Sequence, residues 1–248
     1  MQCLILAAGY ATRLYPLTAN FPKPLLKVGD KTILDHLLDD LDKTGEVDRY
    51  VVISNRKFAP HFTEWAKTRP GSVAVLDDGT ETNEGRLGAV RDVAFAIREL
   101  SLDDDLLVVA GDNLLDFSLA RFLAYAKSKG ASSVLRYYEP SVDRLKKCGV
   151  LEIGDDDRIL SMVEKPAEPK SHWCCPPFYF FTKADARRVE EGIASGCGVD
   201  APGSFIAWLS AQTPVHAWEM PGRRYDIGNL ASYEEVKRNY RGIPPKEP

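Results

Sequence analysis

Leu4-Ile5-Leu6-Ala7-Ala8-Gly9-Tyr10-Ala11-Thr12-Arg13-Leu14 is the stretch on which the reading of this chain turns. The apolar run Gln2–Ala7 predicts a buried strand, and a loop of small residues follows it. Small side chains at Ala7, Ala8, Gly9 and Ala11 let backbone N–H groups come close to a ligand, as a phosphate cradle requires. Arg13 and, ten residues on, Lys23 supply two fixed cations that suit a polyphosphate. Taken alone, such a turn is a weak motif that reads as a plain strand-loop, and both G-x-G-x-x-G and G-x-x-x-x-G-K-[ST] are absent.

Outward from this loop, short apolar runs alternate with helical patterns. Ile33, Leu34, Leu37, Leu38 and Leu41 share one helical face and Asp35, Asp39, Asp40 and Asp42 the other, with Thr32 as start signal and Gly45 as stop. Strands are expected at Tyr50–Ile53, Val73–Leu76, Leu106–Ala110 and Ser133–Tyr138, and helices through Leu87–Ile97 and Leu119–Ala126. This rhythm predicts an α/β fold whose mostly parallel sheet is covered by helices on both faces. Such sheets place ligands beyond the carboxyl ends of their strands, so chemistry is expected in the loops after Ala7 and Ala110. After about residue 146, strands are expected at Cys148–Ile153, Asp157–Glu164 and Phe178–Thr182. Helices Lys183–Ala194 and Ser204–Ala211, a strand Val215–Trp218 and a helix Ala231–Asn239 complete the pattern, and the tail from Ile243 is expected to be loose.

Composition sets the outer limits. With 44% apolar and 27% charged residues among 248, the chain is of the ordinary globular kind and not intrinsically disordered. A balance of 32 Lys+Arg against 36 Asp+Glu, net −4, counts against duplex nucleic acid as a partner. No apolar run approaches the roughly 20 residues that span a bilayer, and the N-terminus lacks the pattern of a signal peptide. Five cysteines in a chain of this size read as reduced thiols. A cytoplasmic protein with no membrane contact is expected.

The longer stretch is far more specific. Leu-Ala-Ala-Gly-x-x-Thr-Arg-Leu-x-Pro-Leu-Thr over Leu6–Thr18, followed by Pro22-Lys23-Pro24-Leu25, strongly resembles the signature of the sugar-phosphate nucleotidylyltransferases. These are the glucose-1-phosphate thymidylyl- and uridylyltransferases and the mannose-1-phosphate guanylyltransferases. Gly111-Asp112-Asn113, Gly149-Val150, Glu164-Lys165-Pro166 and Tyr225-Asp226-Ile227-Gly228-Asn229 match in the family's order, so the resemblance covers nearly the whole chain. It implies a three-layer α/β/α Rossmann-like nucleotidyltransferase fold with a mixed, mostly parallel central sheet. It implies a single domain, 1–248, in which 1–145 bind nucleotide and 146–248 bind sugar phosphate, with no C-terminal β-helix.

The implied reaction is Mg²⁺-dependent: a sugar-1-phosphate oxygen attacks the α-phosphorus of an NTP in line, and pyrophosphate leaves. By the resemblance the NTP lies along Leu6, Ala7, Ala8, Gly9, Tyr10, Ala11, Thr12, Arg13 and Lys23, with Arg86 and Gly88 from the base loop. Arg13, Lys23, Asp112 and Lys165 are the catalytic residues, and Asp112 and Asp226 hold the Mg²⁺. Lys165 grips the acceptor phosphate, Asn113 and Glu164 hydrogen-bond sugar hydroxyls, and Gly149 and Cys175 lie against the sugar. The implied partners are the NTP and a phosphorylated small-molecule acceptor, with no nucleic acid or membrane and with homo-oligomer formation left open.

The chemistry fits the residues. Asp112 follows an apolar strand, which puts a hard oxygen ligand at a carboxyl end, where Mg²⁺ shared with phosphate would sit. Standing alone, Gly111-Asp112-Asn113 reads as a β-turn and Glu164-Lys165-Pro166 as a solvated strand end. Two aspartates meeting without metal are expected to repel and tend to keep a proton. An anionic acceptor needs no general base, so catalysis rests on positioning and electrostatics, and four histidines are no objection.

Three departures leave substrate choice open. Ala11 stands where the family usually has Gly, so the loop must tolerate a Cβ. In the base loop, Asp77–Ala89, Arg86 replaces a Leu or Thr; it either faces ligand or makes a helix-surface salt bridge, while Thr82-Asn83 is similar to the phosphocholine cytidylyltransferase branch. His172-Trp173-Cys174-Cys175-Pro176-Pro177-Phe178 replaces a Gly-containing strand entry, and its cysteines read as buried free thiols because no second pair stands at zinc spacing. Hexose phosphate, phosphocholine, a phosphonate and an inositol phosphate all remain as acceptors. The competing reading is a glycosyltransferase of related architecture holding metal through Asp-x-Asp, but Asp103-Asp104-Asp105 and Asp155-Asp156-Asp157 read as turn acids. A non-catalytic relative is expected to lose Arg13, Lys23 or Asp112, and none is lost.

Overall fold

A computed structural model of the chain describes residues 1–244. The expectation for the tail beyond Pro244 lies outside the described residues. The chain divides into two compact units, one made of Met1–Leu4, Leu87–Val109 and Arg121–Met220, the other of Ile5–Arg86, Ala110–Ala120 and the segment from Pro221 onward.

The principal strands are β1 (Gln2–Leu6), β2 (Arg49–Ser54), β3 (Val73–Asp77), β4 (Leu106–Ala110), β5 (Asn113–Leu115), β6 (Ser133–Tyr138), β7 (Gly149–Ile153), β8 (Ile159–Glu164), β9 (Trp173–Cys175), β10 (Phe178–Phe181), β11 (His216–Glu219) and β12 (Arg224–Asp226). The principal helices are α1 (Ile33–Thr44), α2 (Ala59–Ala66), α3 (Ala89–Glu99), α4 (Ala120–Lys129), α5 (Gly203–Ser210) and α6 (Leu230–Asn239). This is the α/β architecture that the alternation predicts, with the mixed central sheet that the resemblance implies.

In the first unit the strand order is β8-β7-β9-β6-β10-β4-β1, with β11 added to β6. Unbroken apolar runs make the middle of this order: Leu107, Val108 and Val109 of β4 are fully buried, and β10, Phe-Tyr-Phe-Phe, pairs antiparallel with both β4 and β6. β9 slots antiparallel between β6 and β7, a strand that the sequence pattern does not predict. The strand expected from Asp157 starts at Ile159, because Asp156 and Asp157 adopt left-handed φ of 56° and 60° in a 3₁₀ turn. The helix expected over Lys183–Ala194 is two, Lys183–Ala186 and Val189–Ala194. Buried Asp185 is held by Ser132 Oγ (2.6 Å) and Thr182 Oγ1 (3.1 Å), which anchors the first turn on its own.

In the second unit β1 is followed by β2 and β3, the latter two parallel. Helix α1 has the start and stop its sequence signals: Thr32 and Asp35 form a capping box with 3.0 Å bonds each way, and Gly45 closes the helix at φ 67°. Its acidic face is tied down by the largely buried Arg69, which reaches Asp35 (3.2 Å), Asp39 (2.7 Å) and Asp42 (2.8 Å). β5 and β12 form a two-stranded antiparallel ladder, and Asn229 caps α6 immediately after it. Among the described residues no helix is long and apolar enough to cross a membrane.

Candidate active site

The loop after β1 is braced from the β2 side. Ala7 N–H donates to Ile53 O (2.9 Å), and buried Asn55 donates through Nδ2 to Ala8 O (2.8 Å) while accepting from Phe58 N–H (3.0 Å). The sharp point of the loop is Ala11, at φ 46° and ψ 43°. That left-handed conformation costs a residue with a Cβ roughly 1–2 kcal/mol, which is the physical reason glycine is the common choice there. Thr18 Oγ1 donates to Ala11 O (2.8 Å) and holds the turn. A 3₁₀ turn, Thr12–Leu14, then buries Leu14 and exposes Arg13, which makes no ion pair with a described residue.

Lys23 opens a second 3₁₀ turn between Pro22 and Pro24, and its side chain is only 8% exposed. Its Nζ donates to Asp112 Oδ2 (2.8 Å); Asp112 Oδ1 accepts from Asn113 Nδ2 (2.9 Å); and Asn113 Oδ1 accepts from Arg224 Nη1 (2.6 Å). Arg224 Nη1 also lies 3.8 Å from Asp226 Oδ1. The β5–β12 register pairs Asp226 with Asn113, so two segments more than a hundred residues apart meet beside Asp112. Burial pushes the Asp112 carboxyl up, but the Lys23 charge and hydrogen bond and the Arg224 charge outweigh it and hold it below the ordinary aspartate value. The proton retention expected of a metal-free aspartate pair is therefore not found at Asp112; cations already balance it. Asn113, 2% exposed, has its amide engaged by Asp112 and Arg224 and not by open solvent. Arg224 was not singled out by the sequence, although the Arg223-Arg224 pair stands directly before the Tyr225-Asp226 match.

Glu164, Lys165, Gly149 and Cys175 gather at one end of β7, β8 and β9 in the first unit. Gly149 pairs with Glu164 on one side and Cys175 on the other. Lys165 is exposed and left-handed, φ 49°, with its N–H on Cys148 O (2.9 Å). Burial raises the Glu164 carboxyl above its ordinary value; Lys165 opposes this and Asp200 adds to it. Cys175 is buried, and burial together with the Glu164 charge pushes its thiol well up. All five cysteines are free thiols, Cys174 and Cys175 both buried, as the spacing predicts.

In the loop expected to read the base, Asp78 Oδ1 accepts from both Thr80 N–H and Thr80 Oγ1 at 2.7 Å, and Tyr10 Oη reaches Thr80 O at 3.4 Å. Arg86 lies in this loop and not on a helix, with Nη1 turned onto Asn83 O (3.1 Å). Gly88 begins α3 at φ 94°. The first amides of α3 donate to the carbonyls of Asp200 (Ala89 N–H, 3.2 Å) and Val199 (Val90 N–H, 3.0 Å). The turn acids are engaged locally: Asp103 by Lys183 (2.9 Å) and Arg187, Asp156 by Lys129, and Asp157 by Arg136 (2.8 Å).

Comparison with known proteins places the chain: it belongs to the nucleotidyl transferase family, whose model matches residues 2–242. A UTP–glucose-1-phosphate uridylyltransferase of Haloferax volcanii is 30% identical over 242 residues, 96% of each chain. A glucose-1-phosphate adenylyltransferase of Fervidobacterium nodosum is 27% identical over 260 residues, 98% of this chain and 62% of that one. The chain spans between about half and two thirds of the length of several curated relatives it matches. The fold is that of a solved UDP-glucose pyrophosphorylase complexed with UDP-glucose, at a TM-score of 0.82 and 19% identity over 96% of this chain and 97% of that one. The fold is therefore the Rossmann-like one of the nucleotidyltransferases.

Proposed function

We propose that this chain joins an NTP to a sugar-1-phosphate or a similar phosphorylated acceptor, giving a nucleotidylated product and pyrophosphate. The observation that carries the reading is the chain of contacts Lys23–Asp112–Asn113–Arg224, which keeps one carboxylate ionised among cations at the end of β4. A carboxylate held below its ordinary value at a strand's carboxyl end, with a lysine on one oxygen and an arginine-braced asparagine on the other, suits the management of ligand charge.

Asp112 and the exposed Asp226 fit a hard divalent cation such as Mg²⁺. Both offer carboxylate oxygen only, and no group of three or more metal-ligating side chains gathers among the described residues. Two protein oxygens suit an ion that keeps water and phosphate ligands and not an all-protein cage. Bound there, the ion would neutralise charge on the triphosphate. The chain's own residues do the rest: backbone amides of the Ala8–Thr12 loop receive phosphate oxygens, Arg13 meets the charge that develops on the leaving pyrophosphate, and Lys23 is released from Asp112 toward phosphate. Lys165 takes the acceptor phosphate, and Glu164 accepts from an acceptor hydroxyl. The acceptor phosphate is already a nucleophile, so no proton need be removed.

The glycosyltransferase reading loses its support, since its candidate Asp-x-Asp acids pair with Lys183, Arg187, Lys129 and Arg136. Pyrophosphate release from five NTPs against sugar phosphates, an inositol phosphate, phosphocholine and a phosphonate tests the proposal: release with at least one pair is expected, and none with any pair would overturn it.

A further inference from the structure

Two glycines flank the Glu164 side chain, and neither is there for backbone freedom. Gly149 and Gly203 both lie outside the left-handed region. Gly203 opens α5, where alanine is the better helix former by up to about 1 kcal/mol, and Gly149 opens a strand, where glycine is again the weaker choice. What both positions require is space. A Cβ on Gly203 would come within 3.2 Å of Glu164 Cδ and closer still to Glu164 Oε1 and Met162 Cε. A Cβ on Gly149 would stand 3.1 Å from Glu164 Oε1 and would overlap Met162 Cε. Among the described residues the Glu164 carboxylate has no hydrogen-bond donor, while Lys165 turns outward beside it. Both carboxylate oxygens keep some exposure, so the slot is open to a donor that a ligand carries.

Resting on the function proposed above, we infer that Gly203 and Gly149 are positioning residues for the acceptor: between them they keep open the slot in which the Glu164 carboxylate lies, and so fix how it meets an acceptor hydroxyl beside the phosphate on Lys165. A residue with any side chain at 203 drives the carboxylate out of line and leaves the NTP half of the reaction untouched.

The test is Gly203→Ala in the full chain. The acceptor KM is expected to rise about 10-fold or more, the worth of one charge-assisted hydrogen bond, with the NTP KM within about twofold. Glu164→Asp retracts the carboxylate by one methylene and relieves the new contact, so the double variant should lose less than the product of the two singles. An unchanged acceptor KM, an equal rise in both KM values, or singles that simply multiply would each overturn the inference. If Gly203→Ala does not fold, Gly149→Ala carries the measurement: its Cβ displaces the flexible end of Met162 and stands 3.1 Å from Glu164 Oε1, tight enough to shift the carboxylate. A readout that needs no substrate separates this from the functional reading: the Glu164 carboxyl, followed by carbon-13 NMR, should titrate closer to an ordinary glutamate in Gly203→Ala. An unmoved titration removes the clamp even in an active enzyme, whereas a wild-type chain that releases no pyrophosphate removes the functional reading and the acceptor role with it.

Discussion

Asp112 and Glu164 are both acids at the end of a strand, yet the protein shifts them in opposite directions. Asp112 is bonded by a lysine and by an asparagine that an arginine holds, and it stays ionised more readily than a free aspartate. Glu164 is half-buried between two glycines with no donor among the described residues, and its proton is held more tightly than a free glutamate holds one. The difference teaches what each is prepared for. A carboxylate already balanced by cations can hand one of them to an incoming phosphate and take a metal ion in its place with little change in net charge. A carboxylate left without a donor waits for one, and a hydroxyl-bearing ligand supplies it.

The comparison can be broken most directly at the balanced end. Asp112→Asn and Asp226→Asn are each expected to lower turnover on the order of 10⁴-fold with the circular dichroism spectrum intact, and the double variant to be scarcely worse, since residues serving one ion act as a unit. Additive losses would separate the two acids. Arg13→Ala should reduce kcat and kcat/KM together by about 2–4 kcal/mol of barrier, comparable to removing one oxyanion donor; full activity in steady-state assays would empty the cradle of its cation. Lys165→Ala should raise the acceptor KM roughly 10- to 100-fold and leave the NTP KM nearly unchanged, and a matching rise in both would place Lys165 elsewhere. Arg224→Gln tests whether Asn113 orients Asp112: a fall of about 10-fold in kcat with little change in either KM is expected, and no change would reduce Arg224 to a strand-edge contact.

The smallest effect is on stability. The folded protein raises the Glu164 pKa, so the wild-type acid contributes stability that is fully present below the ordinary glutamate value, near 4.3, and is lost as pH rises through the folded value. Glu164→Gln should therefore raise Tm by about 2–4 °C at pH 7 and give no advantage at pH 4. A gain of equal size at both pH values would mean that charge burial is not its cause.

The sequence made plain whatever depended on local pattern. β4 and β6 have the bounds their apolar runs predict, and α1 starts and stops at Thr32 and Gly45 because the cap residues act within a few positions of the helix. The strands β5, β9 and β12 were not legible, since three residues carry no period and each is a strand only by virtue of its partner. α2 went unread: Pro60, a residue that breaks helices in their interior, lies in its first turn, where proline is tolerated. The same distinction runs through the site. Lys23 and Asp112 stood out because they sit in contiguous motifs, while Arg224 and Gly203 acquire their parts only where separate segments meet. Asn113 was visible as a polar residue at a strand end, but its engagement by Arg224 follows from the β5–β12 register and not from anything adjacent in the chain.

The start of α3 has a consequence for how this chain can diverge. Gly88 fits against the backbone of Val199 so closely that an added Cβ would stand 2.5 Å from its carbonyl oxygen, and the carbonyls of Val199 and Asp200 accept the first two amides of the helix. Backbone cannot step aside as a side chain can. An insertion or deletion in the 196–202 segment would therefore withdraw both acceptors at once and unseat α3, however tolerant the exposed turn looks by itself. Segments 88–90 and 199–200 hold as one piece: transplanting the loop before α3 from a relative should succeed only when both travel together.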